Sequence, residues 1–128
     1  MLFRSATTAC VLKAIKYALE NERSTVRMLD FSSTSIVYTF RKIEELLIRF
    51  GHIKNVSGPT HRFKYIELIN GSIIHFHNYK NVNNLRGLRA DCIIIEKYQK
   101  VLKKDRSCFH SMLCSSSKAE FIAISSGI

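Results

Sequence analysis

The chain has 128 residues, 46% of them hydrophobic, which suits one domain with a single core and excludes a disordered chain. Lys and Arg number 20 against 10 Asp and Glu, so a formal net charge of +10 favours a polyanionic partner, nucleic acid first, although a merely solubilising basic surface has the same balance. No apolar run approaches the ~18 residues of a membrane span, and Arg4, Ser5, Thr7 and Thr8 interrupt any signal-peptide core. Cys10, Cys92, Cys108 and Cys114 contain no C-x-x-C pair, so they read as reduced thiols in an intracellular, aqueous compartment with no membrane partner.

In chain order, residues 8–20 place Val11, Leu12, Ile15, Ala18 and Leu19 on one helical face and Lys13, Lys16 and Glu20 on the other, with Thr7 or Thr8 as cap. Residues 25–31 read as a strand. Ser32 to Ser35 offer capping hydroxyls to a second helix whose stripe of Ile36, Val37, Phe40, Ile43, Leu46, Leu47 and Phe50 ends at Gly51. Its opposite face, with Arg41, Lys42, Glu44 and Glu45, carries both signs, as a solvated surface does. Ser57-Gly58-Pro59-Thr60 marks a loop, and Asn70-Gly71 joins residues 62–69 to 72–76 as a hairpin with a two-residue turn. Alternation puts His75 and His77 on one face, where a metal pair is conceivable but lacks a third ligand at a recognisable spacing.

Residues 77–90 are polar and irregular, with Lys80, Arg86 and Arg89 among asparagines, and long loops carry function disproportionately. The loop runs into Cys92-Ile93-Ile94-Ile95-Glu96. A continuous apolar run suits a strand buried on both faces, and such a strand delivers its terminal acid to the edge of a parallel sheet where ligands bind. Tyr98, Val101, Leu102, Cys108, Phe109, Met112 and Leu113 then follow helical spacing, broken by Lys103-Lys104-Asp105-Arg106. Ser115 to Ser117 form a linker, and Glu120–Ile124 is a last strand that presents Ser125-Ser126-Gly127.

This order of elements, with Asn70-Gly71-Ser72, Leu85-Arg86-Gly87, Ile93-Ile94-Ile95-Glu96 and Ile122-Ala123-Ile124-Ser125-Ser126 in sequence, resembles the ATPase domain of the terminase large subunit. That protein is the DNA-packaging motor of tailed phages and herpes-type viruses. The resemblance implies an α/β fold of the P-loop NTPase (ASCE) type: a mostly parallel sheet with flanking helices and an inserted β-hairpin, in one domain over residues 1–128. It implies a cofactor loop at Arg4-Ser5-Ala6-Thr7-Thr8, ATP with Mg²⁺ held by Thr7 and Glu96, Glu96 as the catalytic acid, and Ser125 and Ser126 as the coupling motif. Arg86 or Arg89 would contact phosphate or DNA. The implied partners are double-stranded DNA, the portal, the small terminase subunit and the remainder of the large subunit, in the host nucleus for a herpes-type virus or the host cytoplasm for a phage.

The departures from that pattern carry consequences of their own. Ser5-Ala6 stand where the phosphate loop has Gly-Lys, which removes a counter-charge and close backbone approach, so weak nucleotide binding is expected. Glu96 stands at the magnesium-binding Asp and Lys97 at the carboxylate that orients water, so impaired or absent hydrolysis is expected. By the same resemblance the family's first strand would come before Met1 and its nuclease domain is expected to be missing, which would leave residues 121–124 as an apolar sheet edge. A different class of function, a non-catalytic basic module binding nucleic acid or protein on the same frame, fits the charge equally.

Overall fold

The computed structural model describes residues 2–58 and 63–125, residues 2–6 as backbone only. Helix α1 (Leu2–Glu20) leads into β1 (Thr25–Asp30), α2 (Ser33–Arg49), β2 (Ile53–Val56), β3 (Lys64–Leu68) and β4 (Ile73–Asn78). After a 3-10 turn at Val82–Leu85 come β5 (Cys92–Glu96), further 3-10 turns at Tyr98–Lys100 and Lys103–Asp105, α3 (Arg106–Met112) and β6 (Glu120–Ile124). The six strands form one sheet in the order β2-β3-β4-β1-β5-β6. The pairs β4/β1, β1/β5 and β5/β6 are parallel, whereas β2/β3 and β3/β4 are antiparallel. The mostly parallel α/β sheet expected from the sequence is present.

Alternation divides each strand between two cores. Val26 and Met28 of β1, Ile74 and Phe76 of β4, and Cys92 and Ile94 of β5 face α1 and α2. Leu29, Ile93 and Ile95 face the other way, against Tyr79, Val82, Leu85, Phe109 and Met112. With both faces covered, every residue of β5 is buried, as its unbroken apolar run requires.

Helix α2 keeps the predicted stripe, burying Ile36, Phe40, Ile43 and Leu47, and Ser32 is its cap, accepting from the Ser35 amide at 3.2 Å. Helix α1 departs from expectation in two ways. It starts at Leu2, so neither Thr7 nor Thr8 caps it, and its buried residues are Cys10, Val11, Ala14, Tyr17 and Ala18, with Leu12 and Leu19 exposed. Small side chains at 10, 14 and 18 let the helix lie close to the sheet, and that contact outweighs the larger apolar residues around the barrel.

The hairpin turn also differs from expectation. The Leu68 amide bonds to the Ser72 carbonyl at 2.8 Å and the Gly71 amide to the Leu68 carbonyl at 3.0 Å, so the loop has three residues, Ile69, Asn70 and Gly71. Gly71 at φ +89° supplies the left-handed residue that such a turn needs. The Asn70 amide donates to the Ala18 carbonyl at 2.8 Å, and the buried Ser72 hydroxyl accepts from the Ser24 amide at 3.2 Å. The Asn70-Gly71-Ser72 motif therefore ties the last carbonyls of α1 to the start of β1. Residues 59–62, part of the predicted loop and hairpin arm, lie outside the described residues.

Among the described residues no strand pairs with the outer edge of β6, the apolar edge expected at residues 121–124. Cys10, Cys92 and Cys108 are buried free thiols and Cys114 is partly exposed. No helix among the described residues is long and apolar enough to cross a membrane.

Candidate functional site

The carboxyl ends of the parallel strands share one rim. Asp30 ends β1 and Glu96 ends β5, both on the face toward α1 and α2, because each stands two residues beyond a core residue of that face, Met28 and Ile94. Glu96 pairs in register with Ile124 of β6, so Ser125, which is exposed, leaves the sheet at the same end. Helix α1 descends antiparallel to the strands, which brings its N-terminal half to this rim, where Thr7 lies close enough to the Glu96 carboxylate to pull its pKa down. Thr7, Asp30, Ser35, Thr39, Glu96 and Lys97 line a cavity of about 290 Å³ there.

Asp30 is 1% exposed and Glu96 6%, so two carboxyl groups are buried side by side. Burial, a hydrogen bond to Asp30 and the charge of Asp30 push the Glu96 pKa up to about 7, against the smaller opposing pull of Thr7 and Lys97. A like charge buried beside it favours the protonated form of Glu96. The Lys97 ammonium completes the cluster, 3.0 and 3.3 Å from the two Asp30 oxygens and 3.5 Å from the Ser35 hydroxyl. Lys97 adopts the left-handed conformation, φ 54° and ψ 45°, which a non-glycine residue takes only at a cost of about 1–2 kcal/mol. The Tyr79 hydroxyl, within 3.0 Å of the Glu96 carbonyl and 2.8 Å of the Lys97 carbonyl, clamps that turn.

These residues do not fit a magnesium ion as they stand. A hard dication takes oxygen ligands in octahedral order, and here both Asp30 oxygens are held by an ammonium while the Glu96 carboxylate carries hydrogen bonds and a raised proton affinity. Among the described residues no group of three or more acidic, histidine or cysteine side chains is arranged to hold a metal. The Thr39 hydroxyl, 2% exposed and without a hydrogen-bond partner among the described residues, is a polar atom of the cavity wall.

Of the residues singled out from the sequence, Thr7, Glu96 and Ser125 come to this one rim. The backbone of Arg4, Ser5, Ala6, Thr7 and Thr8 is helical, but the side chains of Arg4, Ser5 and Ala6, and the whole of Ser126, lie outside the described residues. Arg89 is exposed just ahead of β5, at the opposite end of that strand from Glu96, and exposed Arg86 bonds through Nε to Asn83 at 3.0 Å. Neither lines the Glu96 cavity. Asp30 was not foreseen as a site residue. The signal was present, since Val26-Arg27-Met28-Leu29-Asp30 is, like the β5 run, an apolar strand closed by an acid.

No protein-family model matches the chain, and no curated protein is similar to it in sequence. Solved structures do resemble it. The large terminase of a thermophilic bacteriophage superposes with a TM-score of 0.65 at 11% identity over 88% of this chain and 29% of that one. The same values hold for that terminase in complex with ADP. The large terminase ATPase domain of Thermus phage P74-26 superposes with a TM-score of 0.54 at 14% identity over 95% of this chain and 56% of that one. At these identities the likeness is one of fold: the chain has the fold of a terminase ATPase domain. It spans 29% of the thermophilic-phage terminase and 56% of the Thermus phage domain.

Proposed function

We propose that the chain is a fragment of a viral terminase large subunit ATPase domain, from a motor that packages double-stranded DNA into a capsid, and that its own site hydrolyses ATP poorly or not at all. The observation that carries this reading is the rim itself. An acid closing a central buried strand, a helix hydroxyl lining the same cavity and a serine after the neighbouring parallel strand meet where such a sheet binds ligands. The relative solved with ADP has the same fold, which supports a nucleotide as the ligand of this rim. Impairment follows from Lys97, which neutralises Asp30 where the resemblance expects a carboxylate to orient water. Glu96 would remain the acid of the site, Thr7 its orienting hydroxyl, and Ser125 and Ser126 the link from the site to the next segment. Portal, small terminase subunit and the rest of the large subunit are the partners this reading supplies, inside the infected host cell. A strand from the rest of the large subunit would cover the open β6 edge.

The Lys97–Asp30 pair equally suits a second reading, a non-catalytic binding module that keeps the frame and the +10 charge. Duplex DNA titrations separate the two. Affinity should fall steeply with salt in both cases. In the motor fragment, millimolar ADP should shift duplex affinity by about fivefold or more, the lower end of ordinary site-to-site coupling. An affinity indifferent to ADP at every salt concentration would favour the module and sink the motor reading.

A further inference from the structure

A second cavity straddles β4, reaching from the other face of the sheet, with Arg27, His75 and His77, to the strand ends at Ser33 and Asn78. The segment after β4 covers that face over β1 and β5, but over β3 and β4 the residues are only half-buried, and a cavity of about 660 Å³ opens between them and the 78–88 stretch. That volume is in the ordinary range for ligand pockets, ~300–1,000 Å³.

Arg27 stands in its wall, half-buried, with no carboxylate paired to it among the described residues. Its Nε donates to the Arg89 carbonyl at 2.7 Å and its Nη1 to His77 Nε2 at 3.0 Å. A guanidinium has five N–H donors, so two are used and three remain without an acceptor among the described residues. Burial lowers the Arg27 pKa, which measures the cost of a desolvated cation lacking a counter-ion. Burial and the Arg27 charge hold His75 at about 4 and His77 at about 3, so both imidazoles are neutral at physiological pH. Because His77 accepts at Nε2, its proton sits on Nδ1, a further donor. The side-chain amides of Asn81 and Asn84, exposed and also in the lining, make no hydrogen bonds among the described residues, and Leu85 and Leu88 add an apolar wall.

We infer that this groove binds single-stranded nucleic acid, with Arg27 on a phosphate and Asn81 and Asn84 toward the edges of an unstacked base. Unpaired donors on a half-buried cation suit an acceptor-rich anion, and the net charge of +10 favours one that is part of a polyanion. Free amides beside an apolar wall suit a base, and only an unpaired strand offers its base edges and faces to a concave pocket. The groove's lining shares no residue with the Glu96 cavity, although Asn78, in register with Asp30, brings it to the same end of the sheet, and it does not depend on the reading given to that cavity.

Fluorescence anisotropy with a labelled oligothymidylate tests the assignment. Arg27→Gln should weaken binding about tenfold or more, and Asn84→Asp, which sets an anion in the groove without touching the core, should do the same. Lys103→Gln, an equal loss of charge on an exposed turn, should change it less than about twofold, the effect of one distant screened charge. Thermal melts verify that each variant is folded. A same-length duplex should compete at least tenfold more weakly than the unlabelled strand. Equal losses in Arg27→Gln and Lys103→Gln, equal competition by duplex, or full displacement by millimolar inorganic phosphate or thymidine monophosphate would each overturn the inference.

Discussion

Lys97→Ala is expected to destabilise the chain by about 2–4 kcal/mol at neutral pH, because it strands two buried carboxyl groups with no cation. The Asp30 side chain is 2% exposed and that of Lys97 30%, so the pair is shielded on one side and partly open on the other, and the range is set below that of a wholly buried pair. Alanine preserves the left-handed backbone no worse than lysine, so the loss reports the charge and not the turn. Denaturant melts at pH 7 measure it. If the ammonium holds the seat a dication would otherwise take, magnesium at about 10 mM should raise the melting temperature of Lys97→Ala and leave the parent unmoved. A variant as stable as the parent, unresponsive to magnesium, would show that Lys97 is an ordinary surface lysine.

Glu96→Gln is expected to act in the opposite direction, stabilising the chain by up to about 3 kcal/mol at pH 8. The folded-state pKa of Glu96 is raised from 4.5 to about 7 by burial and by Asp30, so between those values the folded chain binds more proton than the unfolded one. Stability therefore falls as pH climbs from 4.5 to 7 and stays reduced above that window. Glutamine can still donate toward Asp30 and accept from Thr7, but it has no charge to desolvate. Chemical denaturation across pH 4 to 8 should show parent and variant converging at the acid end and separating toward the alkaline end. Parallel pH profiles would mean that Glu96 ionises as freely as an exposed acid.

Much of the frame was legible because local periodicity and burial agree. The stripe of α2 and the unbroken β5 each have one physical reading, and β6 matches residues 120–124 as foreseen. Where two local rules compete, the tertiary context decided: α1 turned its small residues to the sheet, and the Asn70-Gly71 turn took a third residue so that Ser72 could reach Ser24. Strand β2 was not foreseen, since Ile53–Val56 is short, edge-placed and half polar. Glu96, Thr7 and Ser125 could be named from the order of motifs, yet the contact that sets the chemistry could not. Lys97 and Asp30 are 67 residues apart in the chain, and they meet only because β1 and β5 are neighbours in the sheet.

ATP turnover measured at low ionic strength with magnesium tests the account at its centre. The parent should hydrolyse no faster than buffer, and Glu96→Ala should be indistinguishable from it. Turnover by the parent that vanishes in Glu96→Ala but survives in Lys97→Ala would contradict the account, because it would show a working catalytic acid in a site whose ammonium is no obstacle.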